Sequence, residues 1–210
     1  MIAESGAGQI APENPPLSSA ASASRGPSQM EMRPAVFFDR DGTLMKDVSF
    51  VSRPEDVELV ADAAQAVRRL NIALWPVIVA TNQSGIARGL LTEQDYCRVR
   101  DRLDELLAER GAYIAQHYHC PHHPDFTGPC FCRKPATALF DRAMSEHALN
   151  PALSVWVGDR WRDIAPALHY GAVGMLVPSP TTPADDIERA TRELVVVPTL
   201  TDAVHRILPV

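Results

Sequence analysis

No stretch of this 210-residue chain is apolar for long enough to cross a bilayer, which takes about 20 residues in a helix. Positive charge is also scarce, with a formal net charge of −6. That balance argues against a general nucleic-acid binder, whose hold on phosphate backbones rests on clustered Lys and Arg. A small anionic substrate stays compatible, because a few local cations outweigh a modest global charge. The start, Met1-Ile2-Ala3-Glu4-Ser5-Gly6, lacks the basic residues and continuous apolar run of a secretory signal. Glu4, Glu13 and Glu31 are out of keeping with an organellar transit peptide. The expected location is the cytoplasm, with neither membrane nor nucleic acid as a partner and the chain a monomer.

Apolar bulk is missing from the first 33 residues, which are dominated by Ala, Ser, Gly and Pro. Such a segment has little to offset the entropy of ordering, so 1–33 is expected to be a disordered tail. Residues 34–210 are 46% hydrophobic with the rest of the chain and long enough for one well-buried core. Short apolar runs alternate there with amphipathic stretches, the pattern of a doubly wound parallel α/β sheet. Strands are expected at 35–38, 74–80, 113–118, 154–157, 174–177 and 194–197. Helices are expected at 61–70, 92–110, 137–147, 162–170, 183–192 and 200–208. Pro76 counts against an uninterrupted second strand.

Residues with chemistry gather where those strands should end. Asp39 and Asp41 follow the first, beside Gly42. In extended backbone they project to one side, where they can hold a divalent cation while one carboxylate attacks and the other handles a proton. Gly42 allows a sharp turn and a close backbone approach to an anion. Thr81-Asn82 ends the second strand and Gly158-Asp159 the fourth.

The four cysteines include a cluster: Cys120-Pro121-His122-His123-Pro124, then Cys130-Phe131-Cys132. Three thiols and an imidazole at this spacing suit tetrahedral zinc, with Cys120, His122, Cys130 and Cys132 as ligands and His123 the alternative to His122. Disulfides would leave one thiol over and nothing marks secretion. With no open position the zinc would be structural, stapling the loop 120–132. Arg133 and Lys134 follow its last ligand directly, so fixing Cys132 would fix both cations, and Arg133 is a candidate for the remote end of a substrate.

Taken together, Asp39-Arg40-Asp41-Gly42-Thr43, Thr81-Asn82-Gln83-Ser84-Gly85, Arg133-Lys134-Pro135 and Gly158-Asp159-Arg160-Trp161-Arg162-Asp163 resemble the four ordered motifs of the haloacid dehalogenase-like phosphohydrolases. The longer stretch Thr81 to Gly89 is similar to the histidinol-phosphatase and heptose-bisphosphate-phosphatase branch. The resemblance implies a Mg²⁺-dependent phosphatase with a structural zinc loop, and the short insertions after Asp41, around 84–91 and at the zinc loop leave no room for a large cap domain. In it, Asp39 is the nucleophile and Asp41 the general acid and base. Asp39, Asp41 through its carbonyl, and Asp159 would hold Mg²⁺, with Asp163 orienting Lys134 or a bound water. Thr81 and Lys134 would bind the phosphoryl oxygens, aided by Asn82, and Gly42, Arg88, Arg133 and Arg160 would serve substrate binding.

The implied substrate is a small phosphate monoester, a heptose bisphosphate cleaved at the primary 7-phosphate. Histidinol phosphate is the alternative, though its cationic end would want acidic partners where Arg88 and Arg133 offer positive charge. A DNA-end phosphatase is disfavoured by the net charge. A non-catalytic, zinc-stabilised phosphosugar-binding protein would have lost Asp39, Asp41, Lys134 or Asp159, and all four are present.

Overall fold

Three buried residues, Val36–Phe38, form β1 at the centre of the sheet. The structure, a computed structural model, describes residues 32–209. The other strands are β2 (Val77–Asn82), β3 (Gln116–Cys120), β4 (Val155–Gly158), β5 (Val173–Leu176) and β6 (Val195–Val196). All pairings are parallel, in the order β3-β2-β1-β4-β5-β6. The chain therefore builds outward from β1 to β3, then returns to lay β4 on the other side of β1. That reversal opens a crevice at the carboxyl ends of β1 and β4, where open parallel sheets place their ligands.

Helices cover both faces: α1 (Ala63–Ile72), α2 (Ser84–Ala87), α3 (Glu93–Ala108), α4 (Pro124–Thr127), α5 (Ala138–His147), α6 (Trp161–Ile164), α7 (Pro166–His169), α8 (Ala184–Glu193) and α9 (Leu200–Ile207). Side-chain alternation along β1 divides the core. Val36 and Phe38 join Val67, Leu70, Val99, Leu103 and Val204 on the face of α1, α3 and α9. Phe37 joins Trp156, Phe140 and Tyr118 on the opposite face, under α5. Trp156 stacks between Phe37 and Tyr170, with ring centroids 5.0 and 5.2 Å away.

The doubly wound sheet and all six strands appear where the sequence places them, with instructive shifts at the ends. β2 begins only after Pro76, which has no N–H for the ladder but accepts from Val36 through its carbonyl at 2.9 Å. The helix expected over 162–170 is two short ones, because Pro166 starts a new turn as the first residue of α7. α3 opens on the Thr92–Asp95 capping box, and Gly111 just beyond it takes φ +70°. The short α2 and α4 leave no trace in the sequence pattern, because four residues are too few for a periodic signal.

Residues 1–31 of the expected tail lie outside the described residues. At its last position, Arg33 forms a parallel bridge to Leu149 and exchanges backbone hydrogen bonds with Ala148 and Asn150. Between β1 and α1 the only helical structure among the described residues is a single 3-10 turn, Pro54–Asp56, so the crevice is bordered by loops.

Trp156 is fully buried between two rings, so Trp156→Ala should cost about 3–5 kcal/mol, the usual range for emptying an aromatic site. Urea denaturation of the two proteins checks this, and a change under 1 kcal/mol would show that the second core does not depend on it.

Candidate active site

Asp39 stands one residue past β1, and its amide donates to Val157 O at 2.9 Å, continuing the ladder with β4. Lys134 reaches it from 95 residues away in sequence. The Lys134 ammonium contacts Asp39 Oδ1 at 2.6 Å, Asp163 Oδ1 at 2.8 Å and the Ala80 carbonyl at 2.6 Å, with its side chain 1% exposed. Burial works against its charge, but Asp163 and Asp39 outweigh it and hold the ammonium above the ordinary lysine range.

Asp159, Asp163 and Asp39 are all buried, and one carboxylate oxygen of each lies within 4.8 Å of the others. Burial first, then Asp163, pushes the Asp39 carboxyl up to about 7 despite Lys134. Burial likewise raises Asp159, opposed by the Ser179 hydroxyl, which donates to its Oδ2 at 2.7 Å. The other oxygen, Oδ1, is buried with no hydrogen-bond partner. Among fully buried groups here, three carboxylates face one ammonium; Arg160 and Arg162 approach only from the rim. An orphaned carboxylate oxygen beside Asp39, a carboxyl whose charged form burial disfavours, is a donor set that could hold a hard divalent cation.

Asp163 is bound on both sides: Oδ1 pairs with Lys134 and Oδ2 accepts the Arg160 amide at 3.1 Å. It thus braces Lys134. Gly158 makes this possible, because a Cβ there would lie 2.3 Å from that of Asp163. Gly42 has a different task from the one expected. Its amide donates to Met45 O at 2.8 Å and is not free for an anion. At φ +86°, a Cβ on it would meet Asp159 Oδ2 at 2.4 Å, so glycine is what lets the turn pass over the carboxylate.

Asp41 lies across the cleft floor. Arg40 Nε and Nη2 donate to its Oδ1 at 3.1 and 3.0 Å, and Gln83 Nε2 donates to its Oδ2 at 2.7 Å. Gln83 also reaches Thr81 Oγ1 at 2.9 Å, and the Thr81 hydroxyl is 3.4 Å from Asp41 Oδ2. Asn82 spends both ends of its amide on the Lys134 backbone: Nδ2 donates to the carbonyl at 3.1 Å, and Oδ1 accepts from the amide at 3.0 Å. It therefore holds Lys134 in place rather than offering its own donor to an anion.

The cleft has a volume of about 220 Å³, and Asp39, Asp41, Thr81, Asn82, Arg133 and Arg162 are among its walls. Two arginines expected to face substrate do not line it. Arg160 is held by Asp159 Oδ2 at 3.3 Å and Thr181 Oγ1 at 3.0 Å. Arg88 lies against His123, with Nη2 to Nε2 at 2.8 Å, and over the ring of Phe126. In place of Arg160, Arg162 lines the cleft, where burial opposes its charge and Asp163, Asp39 and Asp159 sustain it. The sequence reading also missed Arg40 and Gln83. Alternation sends Arg40 away from Asp41, and only the turn after β1 brings it round. Gln83 could have been found, since alternation puts it on the side of Thr81.

The cysteine cluster assembles at the end of β3. Cys132 Sγ lies 3.0 Å from Cys120 Sγ, 3.6 Å from Cys130 Sγ and 3.2 Å from His122 Nδ1. Cys120 is 3.6 Å from Cys130 and 3.8 Å from His122 Nδ1. A tetrahedral metal with bonds of about 2.0–2.3 Å spaces its ligands at roughly 3.4–3.8 Å, so the four atoms are near the edges such an ion needs. His123 points elsewhere: Nδ1 accepts the Asp125 amide and Nε2 meets Arg88, leaving His122 as the imidazole of the cluster.

Comparison with known proteins agrees with this geometry. A family model described as HAD-hydrolase-like matches residues 131–203. The D-glycero-D-manno-heptose-1,7-bisphosphate 7-phosphatase of Thermosynechococcus vestitus is 42% identical over 154 residues, covering 69% of this chain and 79% of that one. The D-glycero-beta-D-manno-heptose-1,7-bisphosphate 7-phosphatase of Yersinia pestis is 37% identical over 140 residues, 64% of this chain and 74% of that one. A D,D-heptose 1,7-bisphosphate phosphatase from B. bronchiseptica, solved with magnesium and phosphate, superposes with a TM-score of 0.75 at 29% identity, covering 82% of this chain and 97% of that one.

If the three buried carboxylates form a cation site, a divalent cation added to chelator-treated protein should raise its Tm through binding linkage. At 100 times Kd the gain is about 2.7 kcal/mol. Asp159→Asn should remove most of that shift, as read by thermal unfolding with and without the cation.

Proposed function

We propose that this chain, which belongs to the haloacid dehalogenase-like phosphatases, hydrolyses D-glycero-D-manno-heptose 1,7-bisphosphate at its 7-phosphate. Carrying the reading is one observation: a single ammonium, Lys134, bridges Asp39 and Asp163 at the switch point of the sheet, beside Asp41 and Asp159. The named activity of the relatives at 37% and 42% identity supports the substrate.

Lys134 holds Asp39 Oδ1, leaving the other oxygen to attack phosphorus. The P–O ester bond breaks as Asp41 gives its proton to the leaving alkoxide. The aspartyl-phosphate on Asp39 is then attacked by water, whose proton returns to Asp41 as inorganic phosphate departs. The Thr81 hydroxyl and the Lys134 ammonium serve the transferring phosphoryl oxygens throughout. Asp39, Asp159 and the Asp41 carbonyl are the groups that would hold Mg²⁺, which supplies charge screening between nucleophile and phosphoryl group when bound.

Arg133 and Arg162, both walls of the cleft, are suited to the second phosphate of a bisphosphate. Their charge favours that substrate over histidinol phosphate, whose far end is cationic. In the cysteine cluster we assign Zn²⁺ to Cys120, His122, Cys130 and Cys132, as a closed structural site that fixes the start of the Arg133-Lys134 segment. The protein acts in the cytoplasm as a monomer in this reading, with residues 34–210 as the working domain.

Phosphate release from heptose 1,7-bisphosphate and from histidinol phosphate, measured side by side, tests the substrate. The former should have the higher kcat/KM by at least roughly tenfold, and equal or reversed values would reject it. Asp39→Asn should abolish turnover with the fold intact, since an amide cannot form the acyl-phosphate.

Cys132→Ser should remove about one zinc per chain, lower the Tm and raise KM through loss of order at Arg133 and Lys134. Elemental analysis alongside kinetics checks this, and full zinc with full activity in the variant would remove the cluster from the account.

A further inference from the structure

Among the described residues Arg40 is one of the largest fully buried side chains, and its charge has one acidic partner there, the neighbouring Asp41. Nε and Nη2 grip Oδ1, and Nη2 also reaches Oδ2 at 3.1 Å. Behind the guanidinium lies the Tyr96 ring, 5.4 Å from its carbon, itself backed by the His119 ring at 4.0 Å. Glu93 fixes that imidazole through Nε2 at 2.9 Å. On the other side, Gln83 is buried and divides its amide between Asp41 Oδ2 and Thr81 Oγ1. Asp41 itself is a quarter exposed, at 24%, and that exposure is to the cleft.

A buried guanidinium is costly unless it is paired, so this packing needs a reason at Asp41. An acid that must protonate a leaving alkoxide works only within hydrogen-bond reach of it, and a free carboxylate on a turn would rotate about two torsions. Arg40 fixes the plane of the carboxylate from beneath, and Gln83 fixes one oxygen and ties it to Thr81. We infer that Arg40 and Gln83 are positioning residues for proton transfer at Asp41, holding one face of its carboxylate so that the other meets the leaving oxygen. The inference rests on Asp41 being the acid and base of the reaction.

Leaving-group chemistry separates this role from general support. A heptose 7-alkoxide needs a proton to depart, whereas p-nitrophenolate does not. kcat/KM reports only steps up to formation of the aspartyl-phosphate, so the later use of Asp41 as base does not enter. Gln83→Leu and Arg40→Met keep volume and remove the donors. Each should lower kcat/KM for heptose 1,7-bisphosphate by at least roughly tenfold and leave that for p-nitrophenyl phosphate within about threefold, a fraction of the 10²–10⁴ of general acid catalysis.

Equal loss on both substrates, or no loss on either, would overturn the inference. Should Arg40→Met fail to fold, as judged by circular dichroism, Gln83→Leu decides alone, because Gln83 carries no charge to leave a void. Asp41→Asn run in parallel guards the premise. Its kcat/KM should fall far more on the alkyl ester than on the aryl ester, and equal losses in that variant would reject the acid role of Asp41 itself.

Discussion

One ammonium group is the constraint on which the site depends. Lys134 is buried beside Asp39, a wall of the cleft, with two carboxylates and a carbonyl as partners and almost no exposure to solvent. A lysine there is tolerable only because Asp39 and Asp163 are both present, and those two buried acids are tolerable only because the lysine is. The three residues come from the end of β1, the loop after the cysteine cluster and α6. Their mutual need therefore fastens together three distant parts of the chain at the point where strand order reverses.

The rest of the site is arranged to satisfy that trio. Gly158 gives α6 the clearance to bring Asp163 down onto the sheet, and Gly42 gives the first loop the clearance to pass Asp159. The cysteine cluster sits two residues before Lys134, so whatever fixes Cys132 also limits where the ammonium can go. Acid still exceeds base among the buried groups, and Asp159 retains an oxygen without a partner. The protein's own side chains thus leave a local negative balance that a divalent cation is suited to complete.

Much of this was legible in the sequence, and the boundary of legibility has a physical cause. Alternating apolar runs disclose the strands because a sheet buried on both faces needs them, and the residues at their ends, Asp39, Thr81 and Asp159, followed directly. The Cys-x-His and Cys-x-Cys spacings disclosed the cluster, and the three-dimensional arrangement chose His122 over His123. What the sequence could not disclose was where long side chains go once the backbone turns. Arg160 folds back on Asp159 and Thr181, Arg88 leans on His123, and Arg162 takes the cleft wall. Arginine has enough torsions to reach several partners, and only the packed neighbourhood decides among them. Local pattern likewise gave no account of Arg40, whose partner is set by a turn rather than a strand.

Asn82 imitates a peptide group. Its side-chain carbonyl and NH₂ meet the amide and carbonyl of Lys134 as a neighbouring strand would. The segment after the cysteine cluster is in effect stitched to the end of β2 by one artificial rung, where no seventh strand exists among the described residues. Such a rung reads chemistry and not shape. Aspartate has the same outline but no N–H, so it would turn an acceptor toward the Lys134 carbonyl and bring a further negative charge to a region already rich in acid. The rung answers to atoms rather than outline: an amide nitrogen exchanged for an oxygen would take away its donor and set an acceptor against the Lys134 carbonyl, on the segment that carries the lysine.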